Sequence, residues 1–173
     1  MSVLSDWNEA PGKQAEAEIR ACCGSRRWAA KVCAARPYTD QDQFAKFAAE
    51  AWWSLDEQDW LEAFACHPQI GEKVGGASAA KHAATRSGAW SRQEQSKYSG
   101  AEDEVKQAIA EGNREYQKQY GFIYIVCASG KTPGEMLAIL RGRLGRDRAA
   151  ELREAALQQQ QITDLRLGKW LCL

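Results

Sequence analysis

Apolar positions recur at helical spacing along most of this chain. After Thr39 the order Phe44, Phe47, Ala48, Ala51, Trp52 follows i, i+3, i+4, i+7, i+8, one apolar face of a helix. Asp40 and Asp42 open it, where the dipole favours acidic groups. Ser54-Leu55-Asp56-Glu57 matches a capping box, so a second helix is expected from there, carrying Trp60, Leu61 and Phe64. It ends at His67, because Pro68 pushes the residue before it out of the helical region.

Residues 71–90 change character. Gly71, Gly75, Gly76, Ser78, Ser87 and Gly88 among alanines and basic residues read as a long mobile loop, placed as a lid behind His67. Ser91-Arg92-Gln93-Glu94 is a second capping-box match, with Glu94 at the N3 position that wants a glutamate for structural reasons alone. Glu104–Gln119 reads as a long helix that Gly121 terminates. Thr132-Pro133-Gly134-Glu135 is a third box, and its helix runs to Leu144 before Gly145. The last helix runs from about Asp147 to Trp170.

One stretch breaks the helical rhythm. Phe122 to Ala128 is an unbroken run of β-forming apolar residues. It has no partner strand in the sequence. It is either a buried strand or an extended segment threaded through helices, whose backbone donors and acceptors need other partners, a bound ligand among them. The expected architecture is therefore all-α, a single-domain helical bundle over 1–173 with one short extended segment near 122–128.

The last helix carries a stripe of Leu152, Ala155, Ile162 and Leu165, and Gln159 and Arg166 fall on it. A guanidinium on such a stripe needs an anionic or carbonyl partner. Either a structural ion pair, a snorkelling position at the core's edge, or a substrate anion meets that need. Arg141, Arg143, Arg146, Arg148 and Arg153, interleaved with Asp147 and Glu151, read as a solvated helix junction rather than a phosphate site. Gln158–Gln161 reads as a solvated stretch, and Trp52, Trp60 and Trp170 read as core residues.

Composition removes several classes of function. The chain has 173 residues, with 23 Lys plus Arg against 23 Asp plus Glu. Such a balance makes no global field for nucleic acid or an anionic membrane. No apolar run approaches the ~20 residues of a membrane span. Six cysteines without a Cys-x-x-Cys spacing or a secretory signal read as reduced, buried thiols of a cytoplasmic protein. Only two histidines, His67 and His82, occur, without metal-ligand spacing, so no metal site is expected.

Candidate chemistry then narrows to His67, Glu94 and Arg166. A histidine at a helix-to-loop corner titrates near neutrality without help. A helix dipole also favours a charged histidine there with no catalytic role. Together the three make a small anion site: an acid or base, a carboxylate and a guanidinium.

Four pieces carry a family resemblance. They are His67-Pro68-x-Ile70-Gly71, Ser91-x-x-Glu94-Gln95, Gly121-Phe122 through Cys127-Ala128-Ser129-Gly130-Lys131, and Ile162-Thr163-x-Leu165-Arg166-Leu167. In this order they resemble 2-oxo-4-hydroxy-4-carboxy-5-ureidoimidazoline (OHCU) decarboxylase. The resemblance spans nearly the whole chain. It implies an all-α fold, a homodimer, no metal or organic cofactor, and a small-molecule substrate on the route from urate to (S)-allantoin. It implies that His67 is the acid–base residue, Glu94 a second essential group and Arg166 a substrate ligand. Pro68, Ser91, Gln95 and the backbone of Tyr124, Ile125, Val126, Cys127 and Ala128 would line the pocket. Gln69 stands where the family often has arginine after the His-Pro pair, so no salt bridge is expected there. Two other readings stay open at this point: a different cofactor-free lyase or isomerase on a related ring, and a non-enzymatic helical interaction domain.

Overall fold

The computed structural model describes residues 2–70 and 85–172. Among them are nine α-helices, one 3-10 helix and no strand. In chain order they are α1 Val3–Glu9, α2 Gly12–Cys23, α3 Arg26–Ala34, α4 Gln41–Trp53, α5 Glu57–Ala65, α6 Arg86–Glu94, the 3-10 helix Ser96–Gly100, α7 Asp103–Tyr120, α8 Pro133–Arg143 and α9 Arg148–Leu171. The all-α expectation holds. No helix among the described residues is long and apolar enough to cross a membrane.

The chain forms two compact units, Met1–Ala63 with Gln159–Leu173, and Phe64–Gln158. In the first, Trp7, Phe44 and Trp170 meet edge to face or tilted, with ring centroids 5.6 and 5.7 Å apart. The indoles also find acceptors, as buried N–H donors must. Trp28 donates to the Ala48 carbonyl at 2.9 Å and Trp60 to that of Trp52 at 3.1 Å. Trp53 donates to Gln160 Oε1 at 2.6 Å and Trp170 to Glu18 Oε1 at 3.0 Å. Trp52 and Trp170 are core residues, as the periodicity predicts, and Trp60 is half-buried.

Helix ends follow local chemistry, with two corrections. Asp40 caps α4, accepting from the Gln43 N–H at 2.8 Å. The box at Thr132 is present in both directions, at 3.2 and 2.7 Å. Gly121 stops α7 with φ +81°, a left-handed conformation that costs glycine little. The box expected at Ser54, however, is not used. Ser54 Oγ turns back to the Ala51 carbonyl at 2.8 Å and closes α4. Asp56 and Asp59 instead exchange backbone-to-carboxylate bonds at 3.2 and 3.4 Å, and α5 starts at Glu57. Two overlapping cap patterns competed; serine and aspartate cap about equally well, and with Ser54 Oγ bonded back to Ala51 the cap falls to Asp56.

The second correction concerns α6. Thr85, not Ser91, is its N-cap, accepting from the Gly88 N–H at 3.1 Å. Residues 86–90 are therefore helical rather than part of a loop. Positions 71–84 of that expected loop, His82 included, lie outside the described residues.

Leu165 is also corrected: it is 42% exposed while Arg166 is 2% exposed. At about 100° per residue, Leu152, Ala155, Gln159, Ile162 and Arg166 stay on one side of α9, and Leu165 drifts round to solvent. All six cysteines are free thiols; Cys22, Cys23 and Cys127 are buried, Cys33 and Cys66 half-buried and Cys172 exposed.

Candidate active site

His67 stands two residues beyond the last helical residue of α5. Its N–H donates to the Phe64 carbonyl at 3.0 Å, closing the final turn before Pro68 forbids another. Both sides of this corner are fastened. Phe64 packs on Phe122 with ring centroids 5.7 Å apart. Three residues after the histidine, buried Ile70 offers its carbonyl to Asn113 Nδ2 at 2.9 Å. Gln69 donates to Gln117 Oε1 at 2.8 Å, so the position after His-Pro is tied to α7 by an amide pair. His67 and Pro68 are half-buried. The backbone that carries the imidazole is thus fixed on both sides, while the residue itself is not sealed from solvent.

Glu94 ends α6, and the capping explanation for it falls with the register. A carboxylate in the last turn of a helix meets the carbonyl end of the dipole, which disfavours it by about 0.3–1 kcal/mol. The N-capping role expected for this glutamate is therefore not the one it fills. Ser91, Glu94 and Gln95 are spaced i, i+3 and i+4 and share one side of the helix end. Ser91 is 3% exposed, Glu94 and Gln95 half-buried.

The run Tyr124 to Ala128 is buried and irregular. It is the threaded alternative, not a strand. Side chains take the place of a partner strand. Gln158 Oε1 accepts the Cys127 N–H at 2.8 Å, Arg143 Nη1 donates to the Ile125 carbonyl at 2.7 Å, and Lys131 Nζ to the Cys127 carbonyl at 2.7 Å. Among the described residues, the N–H groups of Tyr124, Ile125, Val126 and Ala128 have no protein partner, nor has the Val126 carbonyl. Open polar groups in a buried segment are unusual, and a ligand or water meets the need.

Arg143 overturns the reading of 141–153 as solvated. It is 3% exposed and paired with Glu151, itself fully buried. Glu151 Oε1 also accepts from the Tyr116 hydroxyl at 2.5 Å, and Arg146 approaches Oε2 at 3.6 Å. Burial pushes the Tyr116 and Tyr124 phenols far above their ordinary value, so both stay protonated donors. Gln158 likewise is not a solvated residue of a glutamine run. The signal for Arg143 was its place three residues after Leu140 and seven after Met136, on the buried face of α8.

His67, Pro68, Ser91, Glu94, Gln95 and 124–128 all belong to the unit Phe64–Gln158; Arg166 belongs to the other. Arg166 is buried in α9, as its place on the stripe requires.

A family model of OHCU decarboxylase matches residues 8–168. The uric acid degradation bifunctional protein TTL of Arabidopsis thaliana is 37% identical over 155 residues, 89% of this chain. The chain spans 46% of the length of that curated relative, about half. A crystal structure of OHCU decarboxylase in the presence of (S)-allantoin is 35% identical, with TM-score 0.75, over 90% of this chain and 98% of that one. A crystal structure of (S)-allantoin synthase, 18% identical with TM-score 0.67 over 97% of this chain and 54% of that one, shares the fold.

Proposed function

The chain belongs to the OHCU decarboxylase family, and on that premise we propose that it converts OHCU to (S)-allantoin as a carboxy-lyase of urate breakdown, with His67 as acid–base residue. The observation that carries this reading is the corner of His67, fastened by Phe64 on Phe122 and by Asn113 on Ile70. A solved relative with (S)-allantoin present supports the substrate class.

The bond to the carboxylate breaks, and its electron pair enters the ring. Carbon dioxide leaves, and the nitrogen of the ring C=N bond that receives the pair takes a proton. The hydroxyl gives up its proton as it becomes a ring carbonyl, and the neighbouring ring carbon takes one. The ring itself holds the electrons as an enolate, so the reaction needs no organic cofactor. His67 handles the proton on one face, help worth ~10²–10⁴-fold, and delivery from one face makes one enantiomer. Glu94 either fixes the imidazole tautomer, bonds substrate N–H groups or crowds the departing carboxylate. Arg166 takes a ureido or ring carbonyl oxygen. Pro68, Ser91, Gln95 and the backbone of 124–128 complete the lining. The same reading carries one catalytic domain over 1–173, acting as a cytoplasmic homodimer.

The test supplies OHCU by oxidising urate with uricase and a hydrolase, and follows circular dichroism with and without this protein. Faster growth of a single-signed allantoin signal supports the reading. A trace at the spontaneous rate, with folded protein present, rejects it.

A further inference from the structure

The buried pair Arg143–Glu151 has a geometry that plain packing does not require. Its guanidinium uses Nε and Nη2 on Glu151, Nη2 also on the Tyr116 hydroxyl at 3.2 Å, and Nη1 on the Ile125 carbonyl at 2.7 Å. It lies over the Tyr124 ring, 5.0 Å from the centroid. The carboxylate thus aims the guanidinium, and the guanidinium grips the buried run. Gln158 and Lys131 grip the same run at Cys127, through its N–H and its carbonyl. All three side-chain grips fall on Ile125 and Cys127, alternate residues. In an extended chain the groups of the residue between them face the other way. That residue is Val126, whose N–H and carbonyl both lack a protein partner among the described residues.

We propose that Arg143 is a positioning residue: anchored by Glu151 and assisted by Gln158, it sets the Val126 N–H and carbonyl as a donor–acceptor pair for a cyclic amide edge of the substrate. Such an edge offers one N–H and one C=O side by side, which one residue of extended backbone complements. This inference rests on the decarboxylase reading above and deepens it.

The test uses three variants of the full chain with OHCU generated in situ. Arg143→Met with Glu151→Leu removes both charges together, which avoids leaving either one buried alone. Gln158→Leu removes the second grip from a half-buried position, and Arg143→Lys keeps the charge while losing the fork. A lost binding edge raises KM with kcat nearly unchanged. The expected result is a KM raised ~10-fold or more in the double variant and in Gln158→Leu, with kcat within about threefold and Arg143→Lys in between. Folded variants that keep the wild-type KM, or lose kcat alone, overturn the inference. If the double variant does not fold, Gln158→Leu decides. Wild-type protein and His67→Ala run alongside: a wild type no faster than the spontaneous reaction rejects the decarboxylase reading, and this inference with it, whereas an active wild type with unaffected variants rejects the inference alone.

Discussion

The side-chain amide of Asn113 donates to the carbonyl of Ile70 at 2.9 Å, and this bond ties the chain three residues after His67 to the middle of α7. Asn113 is 4% exposed. Replacing it with alanine leaves a buried carbonyl without a partner, which costs about 1–3 kcal/mol. The imidazole then loses its fixed approach, and misplacement of ~1 Å costs up to ~10²-fold in rate. Asn113→Ala should therefore lower both the urea midpoint and kcat. Urea titration and steady-state kinetics on the folded variant measure the two effects separately.

Glu94 should separate stability from activity. Since Thr85 caps α6 and Glu94 sits at its unfavourable end, Glu94→Gln should change stability by no more than ~0.5 kcal/mol. Activity should fall by ~10² or more if the carboxylate acts at the substrate or on the imidazole. Thr85→Ala should do the reverse: it removes the bond to Gly88 and costs ~1 kcal/mol, with little effect on chemistry. Thermal melts beside progress curves for both variants check the pair.

Much of the helical frame is legible in the sequence because its signals are local. Thr132 with Glu135 and Gly121 after α7 each stand alone and are used as read. Where two cap patterns overlap, as at Ser54 and Asp56, spacing cannot rank them, because the outcome depends on Ser54 bonding back to Ala51. The pattern at Ser91 hid a quieter start at Thr85, which lacks a glutamate three residues on. The candidate residues His67, Glu94 and Arg166 come from position and resemblance. Arg143 and Gln158 were masked by runs of like residues, since a charge or amide run reads as solvated until a partner such as Glu151 or Cys127 is seen.

Acid should weaken the first unit through its caps. The Gln43 N–H, then the Thr39 hydroxyl, hold the Asp40 carboxyl below its ordinary 3.8. The Asp59 N–H, then Arg27, do so for Asp56. A carboxyl depressed in the folded state adds stability that is fully present above its unfolded value and is lost as pH falls through the folded value. Stability should thus decline below about pH 4. Asp40→Asn keeps a capping oxygen but cannot titrate, so its stability should fall less steeply there. Urea midpoints taken stepwise from neutral to acid pH, for wild type and variant, give the comparison; parallel slopes would contradict it.

The central claim is that His67 handles the proton that decides the product. The direct measurement is the circular dichroism progress curve of OHCU decay with wild-type protein and with His67→Ala, both verified as folded. The account predicts rapid growth of one-signed allantoin with wild type, and the slow, optically silent spontaneous reaction with the variant. A variant that still accelerates decay and still yields a single enantiomer would contradict it.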